Sequence, residues 1–415
     1  MAIQTTGGTL TNSVRTAYGN KYIEAADFAR VYDQFAEPVG QVGVEQAARL
    51  NNAVQVPFLS DMDITQTVIS EVADIDPQTL RDSTASITPT SRGDALQWTE
   101  ELALKVYTNY GESRFQKLGK NMAETVDVLA QAAALKGELV LRGAARASID
   151  AGTTSHNLST LWLAKAESLM TSLKVPAFMG NGRQQWMALG HPDVFYDFRT
   201  SGDVVNVAYY QDKEILFNGE LGQYGSFKLI SPAWAKVFAG AGAANASVVA
   251  TTLSTAASAL AVQILVASST NIESYVGRFL TIADSGLETG STHYPMNERV
   301  FRSADYTTGL TIDIVGEGAN GGLRFDHASG ATVSNADTVY PVVFGGPRSL
   351  AKLYPSSYDA GPDQMDMGQY GVIVGPKYDG ILNQFRTLGW KWWGGYGRWV
   401  ESWIVRGEFS SRLDA

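Results

Sequence analysis

Residues 121–148 read NMAETVDVLAQAAALKGELVLRGAARAS, and this stretch has the clearest helical pattern in the chain. Asn121 can cap a helix here, and Glu124 completes a capping box. Acidic residues come early and arginines late, which suits the helix dipole, and Glu138 and Arg142 have the i,i+4 spacing of an ion pair. Apolar residues recur at helical spacing at Met122, Val126, Leu129, Ala133 and Val140. The stretch predicts one helix about 40 Å long, which can serve as the spine of a flat subunit.

The chain ahead of this helix predicts an arm followed by a long loop. Residues 1–50 mix short amphipathic patches with Gly and Gln and predict an extended or partly helical arm. Two β-prone runs, Val54–Leu59 and Ala95–Tyr110, flank the polar stretch Asp61–Gly93, and we expect them to form an extended hairpin loop within residues 51–110. So long a loop is uncommon unless it reaches beyond its own domain. We therefore take six polar or conformationally restricted residues as candidate assembly residues: Asp76, Pro77, Thr79, Arg81, Asp82 and Arg92.

Two regions with different sequence patterns follow the helix. A second helix is predicted over Ser159–Lys174, stopped by Pro176, and short strands such as Val204–Tyr210 and Phe227–Ile230 follow. Residues 241–340 then alternate β-prone runs with Gly, Asn, Asp and Ser turns, which is typical of a small barrel or sandwich. The runs are Ala261–Ala267, Phe279–Ala283, Leu310–Val315 and Thr338–Phe344. With four Arg, no Lys and nine acidic residues, this stretch predicts an inserted, acidic, all-β domain.

The aromatic segment Gly389–Phe409 near the C-terminus allows two interpretations. Six large aromatic residues with Lys391 and Arg398 among them could form a stacking platform for sugars or single-stranded nucleic acid. The alternative, which we favour, is a hairpin turned at Gly394-Gly395 whose aromatic side chains fill the core, because the flanking chain is not basic. We expect four tryptophans in that core: Trp390, Trp392, Trp399 and Trp403.

Composition excludes several classes of protein. The chain has 415 residues and a net charge of −10, so tight DNA binding is not expected. Only 18% of the residues are charged, which is expected of a protein that buries much of its surface against neighbouring molecules. With no cysteine there are no disulfides, thiolate metal sites or cysteine nucleophiles. No secretory signal is predicted at the N-terminus. The uncharged stretch Val237–Ile272 is too rich in Ala, Gly, Ser, Thr and Asn to predict a membrane span.

No motif predicts catalysis, a cofactor or a metal. Gly316–Gly321 fits GxGxxG, but Leu323-Arg324-Phe325 predicts a strand where a dinucleotide site needs a helix, so we expect a hairpin turn. The acidic runs Asp61–Glu71 and Asp74–Asp82 lack the glycine and glutamate of a calcium loop. The four histidines are scattered and show no ligand spacing, and no GxSxG elbow accompanies them.

The order of these parts, together with Asn109-Tyr110-Gly111 and Leu388-Gly389-Trp390-Lys391, resembles the major capsid proteins of tailed bacteriophages, whose fold is shared with herpesvirus capsids. The resemblance covers nearly the whole chain and implies an α+β fold with an N-terminal arm, an extended hairpin loop, a peripheral domain with a spine helix and an axial domain. The corresponding residues would be 1–50 for the arm, 51–110 for the loop, 111–154 for the peripheral domain, 155–240 for the axial domain, 241–340 for the β-rich insertion and 341–415 for the return to the axial and peripheral core.

The resemblance implies a structural protein, not an enzyme, that assembles as pentamers and hexamers into an icosahedral shell enclosing phage DNA. It further implies assembly in the host cytoplasm, a location in the virion capsid, no membrane, no cofactor, no sequence-specific DNA binding, and as further partners a separate scaffolding protein and a cement or decoration protein. The alternative function is a surface or virion-displayed binding protein that uses the acidic β domain to recognise a glycan or receptor. A glycosidase with paired carboxylates is a third hypothesis that no local motif supports.

Overall fold

The computed structural model describes most of the chain and divides it into two compact units. Unit 1 comprises Met1–Ala134 and Pro347–Glu401, and unit 2 comprises Leu135–Gly346 and Ser402–Ala415. The residues described are 11–39, 53–59, 62, 64, 79–80, 82–105, 110–149, 153–180, 183–197, 205–206, 220–232, 235–239, 249–270, 272, 279–283, 298–302, 310–316, 318, 321–334, 338–355, 364–379 and 384–414.

The described residues form α-helices and short strands, which confirms the α+β class. The helices are α1 (Thr11–Ala29), α2 (Glu100–Lys105), α3 (Tyr110–Leu135) and α4 (Thr160–Ser172). The strands are β1 (Ala36–Pro38), β2 (Val54–Leu59), β3 (Asp82–Ile87), β4 (Thr90–Thr99), β5 (Val140–Arg142), β6 (Phe178–Gly180), β7 (Arg183–Leu189), β8 (Val205–Asn206), β9 (Glu220–Tyr224), β10 (Phe227–Ile230), β11 (Phe238–Ala239), β12 (Ala250–Thr252), β13 (Gln263–Leu265), β14 (Phe279–Ala283), β15 (Glu298–Arg302), β16 (Thr311–Val315), β17 (Thr332–Ser334), β18 (Thr338–Gly345), β19 (Leu350–Leu353), β20 (Gln364–Asp366), β21 (Val372–Asp379), β22 (Phe385–Arg398) and β23 (Ile404–Phe409).

Unit 1 is built around the long strand β22. The strand order is β1-β19-β22-β21-β20, and β4 also pairs with β22. Side chains of α1, α3 and the sheet form one buried cluster that includes Tyr22, Met122, Val126, Trp390 and Trp392. The predicted arm is therefore helical over Thr11–Ala29, and from Tyr22 on it contributes to the core instead of lying free.

Unit 2 contains a nine-stranded sheet and the predicted second helix. The strand order is β5-β23-β18-β7-β10-β9-β8, with β11 on β18 and β6 on β7. The helix α4 starts after Ser159 and ends at Ser172, close to the prediction, and buries Trp162, Leu163, Ala166 and Met170 against this sheet. The strand β10 matches the predicted run Phe227–Ile230, whereas only Val205–Asn206 of the run Val204–Tyr210 is described.

The inserted β domain has a sheet and a core of its own. Six strands follow in the order β12-β17-β14-β15-β16-β13, and their inward side chains form a separate buried cluster that includes Leu280, Ile282, Val300, Ile312 and Val333. The prediction that Thr338–Phe344 belongs to this domain is wrong. That run forms β18, which is buried throughout and pairs with β7 and β23 in the nine-stranded sheet.

The predicted bounds of the spine helix are wrong at both ends. Helix α3 begins at Tyr110, so Asn121 is not its cap; the Asn121 Oδ1 instead accepts a hydrogen bond from the indole nitrogen of Trp390 at 2.8 Å. Helix α3 contains a glycine at position 119 because only glycine fits there: a Cβ would lie 2.3 Å from the carbonyl oxygen of Tyr22 in α1. Helix α3 ends at Leu135 and β5 follows, so Glu138 and Arg142 do not share a helical face.

The hairpin partner and the aromatic turn also differ from the predictions. Strand β2 pairs with β3, a run too polar to be recognised as a strand, whereas the described part of the predicted partner Ala95–Tyr110 lies in β4, α2 and the start of α3. Gly394-Gly395 is not a turn, because β22 runs straight through it. The glycine at 394 serves close packing instead: a Cβ there would lie 2.3 Å from the carbonyl oxygen of Leu353 on β19.

Candidate functional site

The hairpin of β2 and β3 is buried at its base and exposed at its tip. Val54 lies opposite Ile87 at the base, and Leu59 lies opposite Asp82 towards the tip. Val54, Val56 and Ile87 are buried in a cluster with side chains of β19. The base is thus anchored in unit 1, while an isolated two-stranded hairpin is at best marginally stable in water. The tip therefore lacks, within the described part of the chain, the packing that stabilises the base.

The end of the hairpin away from its base exposes large apolar side chains. Leu59 is 62% exposed and Ile64 87% exposed, and Met62 and Leu80 are exposed as well. Apolar side chains left in contact with water at one place are characteristic of surfaces that another molecule covers. The sequence analysis missed these residues because they are scattered through a stretch that is polar on average.

The structure brings only some of the candidate assembly residues together. Thr79 and Asp82 are exposed next to the hairpin tip, with Asp82 the first residue of β3. Arg92 is exposed on a different strand, β4, where it lies opposite Trp392 of β22. Asp76, Pro77 and Arg81 lie outside the described residues. The role of all six in assembly stays a prediction.

The aromatic segment packs into the cores of the two units. Trp390 and Trp392 are each only 3% exposed and lie in the cluster with α1 and α3, and the ring of Trp392 stacks on Tyr396 with 6.0 Å between centroids. Trp399 is partly buried against the cluster at the hairpin base, and Trp403 is partly buried in unit 2. The rings of Trp390 and Trp392 are therefore not available as a stacking platform for sugars or nucleic acid.

A buried aspartate fastens the chain after α1 to helix α3. The Oδ1 of Asp127 accepts hydrogen bonds from the backbone N–H groups of Val31, Tyr32 and Asp33 at 2.8, 2.6 and 3.1 Å. Burial raises the pKa of Asp127 to about 7, although the N–H groups of Val31 and Tyr32 and the charge of Arg30 act in the opposite direction. In the sequence, Asp127 is one of the acidic residues early in the predicted helix 121–148, and nothing there indicates its role as an anchor.

Polar side chains around Asp33 extend this anchor. The Asp33 carboxylate is contacted by Arg30 and by the hydroxyl of Tyr396, and the ammonium of Lys352 lies 3.5 Å from its Oδ2. Burial, followed by repulsion from Arg30, lowers the pKa of Lys352 to about 8. This network joins the N-terminal arm to α3, β19 and β22 within unit 1, and no local motif in the sequence signals it.

The described glycines of the motif Gly316–Gly321 bring the chain back on itself. Gly316 donates its N–H to the carbonyl oxygen of Gly321 at 2.8 Å, and Gly318 donates to Gly322 at 2.9 Å, so the chain folds back after β16. Leu323-Arg324-Phe325 is neither the strand that the sequence predicts nor a helix that could direct its N-terminus at a phosphate. The backbone N–H of Leu323 instead donates to the carbonyl oxygen of Ala261.

The described histidines and acidic residues form no metal site. His191 lies near Asp193 and against the ring of Tyr340, and His327 is buried with its Nε2 3.7 Å from Glu298. Across the described residues, no three His, Asp or Glu side chains are grouped so that they could hold a metal ion. Of the helices in the described ranges, none combines the length and apolar character needed to cross a bilayer.

Comparison with known proteins gives one sequence match and several distant structural ones. No curated protein matches the chain. The capsid of Ralstonia phage GP4 aligns with 86% of this chain and 83% of its own, at 10% identity and a TM-score of 0.49. The capsid of cyanophage Pam1 aligns with 87% of this chain and 85% of its own, at 11% identity and a TM-score of 0.45. The capsid of cyanophage P-SCSP1u aligns with 93% of this chain and 87% of its own, at 10% identity and a TM-score of 0.43.

The sequence match lies in the part of the chain that begins just after β5 and enters the insertion. Residues 143–277 match a family model described as phage capsid protein. These residues include α4, six strands of the nine-stranded sheet and the first strands of the inserted domain. The resemblance to phage capsid proteins that the order of elements indicated is confirmed by this match.

Proposed function

We propose that this protein is the structural subunit of a tailed-phage capsid, which assembles as pentamers and hexamers into an icosahedral shell around the phage DNA. The observation that carries the proposal is the match of residues 143–277 to the phage capsid family. The exposed hairpin tip supports it, because a subunit that tiles a shell needs surfaces that only a neighbour covers. The proposal assigns the protein a structural role, a place in the virion capsid and assembly in the host cytoplasm.

The hairpin tip is the surface that we assign to the neighbouring subunit. Leu59 and Ile64 are mostly exposed in the isolated chain, and burying a side chain of this size stabilises an interface by about 1.5–3 kcal/mol. Contacts within such rings are heterologous, so the tip would meet a different surface on the next copy. A scaffolding protein and a cement or decoration protein are further partners that the proposal includes.

Electron microscopy of the purified recombinant protein, together with size-exclusion chromatography, tests the proposal. Closed shells, tubes or rings of hexamer size are the expected result. A protein that stays monomeric at high concentration would contradict self-assembly and would favour the alternative, a displayed protein that binds a glycan or receptor through its β domain.

A paired set of variants tests the hairpin separately. Leu59→Ser combined with Ile64→Ser should leave the fold intact and raise the concentration needed for assembly by about tenfold or more, since each lost apolar contact weakens the interface. The control is Leu161→Ser on α4, which is 60% exposed, as Leu59 is 62% exposed. Equal assembly of the double variant and the control would exclude the tip as a contact.

The inserted domain is proposed to face the outside of the shell. Its nine acidic residues against four Arg suit solvent better than packaged DNA. A protease or an antibody should therefore reach it on intact particles. Cleavage that occurs only after the shell is disrupted would contradict this orientation.

A further inference from the structure

Strand β4 lies at an edge of the sheet in unit 1. Its ten residues, Thr90–Thr99, pair antiparallel with β22, and among the described strands β4 has no second partner. All of its residues except Trp98 are exposed. The strand is roughly twice as long as a usual one, and the unpaired N–H and C=O groups of an edge strand are a template for a further strand. The side of β4 that faces away from β22, which we call the outer edge, can therefore accept another strand.

Two hydrogen bonds show which backbone groups of β4 lie on the outer edge. Directly after β4, the N–H of Glu100 donates to the carbonyl oxygen of Gln384 at 2.8 Å and so continues the ladder with β22. Because the direction alternates along an antiparallel strand, even-numbered residues of β4 bond to β22 and odd-numbered residues point away from it. In agreement, the N–H of Ala95 donates to the side chain of Asp94 in its own strand at 2.8 Å. The outer edge thus consists of the backbone groups of Ser91, Gly93, Ala95, Gln97 and Thr99.

Two opposite charges lie on one face of β4. Arg92 and Asp94 are both exposed, and because they are two residues apart in a strand, their side chains lie on the same face. Their opposite residues on β22 are Trp392 and Trp390, which pack against α1 and α3 on that face. The exposure of Arg92 and Asp94 shows that these helices do not cover this part of β4. A strand added at the outer edge would therefore meet both charges.

The sequence of β4 is complementary to itself. When two copies of the strand pair antiparallel about a two-fold axis at Gly93, Arg92 of each copy lies opposite Asp94 of the other. These are non-hydrogen-bonded pairs, in which opposite side chains come closest, and opposite charges there stabilise strand pairing. On the outer edge, Gly93 meets Gly93, and Ser91 meets Ala95. The N–H of Ala95 then bonds to the second copy, which releases the carboxylate of Asp94 to pair with Arg92.

We infer that the outer edge of β4 pairs antiparallel with β4 of a second copy of this chain, centred on Gly93. The place of this contact in a shell rests on the proposed function. Charge complementarity within the strand carries the choice of partner, because β4 presents both the cation and the carboxylate that β4 of another copy requires. Such a contact is isologous, unlike the heterologous contacts within a ring. An icosahedral shell has two-fold axes as well as rings, so this pairing joins subunits across a two-fold axis.

The first test measures the register with cysteines. The chain has no cysteine, so an introduced thiol is the only one in each copy. In the inferred register Thr90 lies opposite Leu96, whereas two copies of the same position are about 20 Å apart, too far for a disulfide. A mixture of Thr90→Cys and Leu96→Cys chains, oxidised after assembly, should give about tenfold more disulfide-linked dimer than either chain alone. Equal yields in the mixture and in the separate chains would overturn the inference.

The second test reverses one charge of the pair at a time. Arg92→Asp leaves only carboxylates at the two positions, and Asp94→Arg leaves only guanidinium groups, so each chain alone should need about a tenfold higher concentration to assemble at low salt. An equimolar mixture of the two chains should recover most of the wild-type assembly, because contacts between unlike chains again pair opposite charges. Recovery that depends on mixing cannot arise within one chain and therefore identifies a second copy as the partner.

Lys21 and Glu24 on α1 provide the matched control. They form an exposed ion pair at 3.2 Å within one chain, and Lys21→Glu and Glu24→Lys change the net charge by the same amounts as the two test variants. Each control chain should assemble like the wild type. Control chains that lose as much assembly as the test chains, together with a mixture of the test chains that recovers nothing, would overturn the inference, since net charge would then explain the loss.

The outcomes separate this inference from the proposed function. Shells that form without a mixture-specific disulfide contradict the inference alone and exclude a second copy as the partner of β4. A mixture-specific disulfide in a chain that forms dimers but no larger assembly supports the strand pairing and contradicts the shell. A wild-type chain that forms no oligomer, with cysteine variants that form no disulfide, contradicts both.

Discussion

Asp127 in unit 1 and Glu408 in unit 2 are both buried carboxylates, yet their surroundings differ. Asp127 accepts three backbone N–H groups, and its pKa is raised to about 7. Glu408 is contacted by three guanidinium groups, and its pKa is lowered. The comparison shows that burial alone does not fix the charge of a carboxyl group. The backbone N–H groups and the single charge of Arg30 offset only part of the effect of burial on Asp127, whereas Arg146, Arg406 and Arg142 together outweigh that effect on Glu408.

The largest effect is expected on removing the carboxylate of Glu408. Glu408→Ala leaves Arg142, Arg146 and Arg406 without the charge that holds them together, and breaking a buried ion pair in this way costs about 3–5 kcal/mol. Urea denaturation measures the loss, and hydrogen exchange should place it in unit 2. Glu408→Gln keeps the shape and serves as the control for packing. A stability within about 0.5 kcal/mol of wild type would mean that the arginines are held by other contacts.

A smaller effect is expected on removing the carboxylate of Asp127. Asp127→Ala leaves the N–H groups of Val31, Tyr32 and Asp33 without this acceptor, and we expect a loss of about 1–3 kcal/mol with faster hydrogen exchange after α1. Asp127→Asn retains an accepting oxygen and should lose less than the alanine variant. Equal losses in the two variants would mean that the charge, not the hydrogen bonds, anchors the arm.

The contributions of Asp127 and Glu408 to the free energy of unfolding should change with pH in opposite directions. The pKa of Asp127 in the folded state is raised from 3.8 to about 7, so between these two pH values the folded state holds a proton that the unfolded chain has lost. The contribution of Asp127 to the free energy of unfolding therefore falls as the pH rises from 3.8 to about 7. Because the pKa of Glu408 is lowered from 4.5, its contribution is present above pH 4.5 and is lost as the pH falls below it.

Denaturation midpoints of wild type and Asp127→Asn between pH 4 and 8 measure the first slope. One proton can contribute at most about 1.4 kcal/mol per pH unit. The asparagine variant should lack the decline between about pH 4 and 7. Parallel profiles for the two proteins would show that Asp127 titrates as an ordinary carboxylate in the folded state.

The smallest effect is expected on removing the guanidinium of Arg142, which contacts Glu408 from the surface. The guanidinium of Arg142 lies 3.4 Å from Glu408 and is 43% exposed, so water screens the pair. Arg142→Gln should therefore change the stability of the isolated chain by no more than about 1 kcal/mol. A loss as large as that of Glu408→Ala would show that Arg142 is part of the buried network.

The sequence predicted the parts of the fold that depend on local pattern. The helix α4 follows Ser159 as expected, and Phe227–Ile230 and Phe279–Ala283 form strands at the predicted residues. Burial of Trp390 and Trp392 also followed from residue type, because rings of this size dominate core packing. Such features need little information from distant residues.

The errors arose where distant residues override local pattern. Asn121 has the form of a cap but bonds with Trp390, which is 269 positions away, and Gly394-Gly395 has the form of a turn but lies where β19 approaches β22 closely. The polar strand β3 was missed because its partner β2, not its own composition, makes it a strand. The anchor at Asp127 and the cluster at Glu408 could not be found, since each joins segments far apart in the sequence.

The way the inserted domain is attached has a practical consequence. Ala239 of β11 pairs directly with Thr338 of β18, so the chain leaves and re-enters the nine-stranded sheet at neighbouring positions. This pairing holds the two ends of the inserted domain together, and the domain has its own core. The ion pair of Arg299 with Asp193 and the hydroxyl contact of Thr281 with Thr338 join it further to the rest of unit 2. Because these ends are neighbours and the core is separate, exchange of residues 240–337 for a short glycine-rich linker, or for an unrelated domain whose termini are close together, should leave the nine-stranded sheet folded, and this position would then serve to attach a chosen protein to the chain.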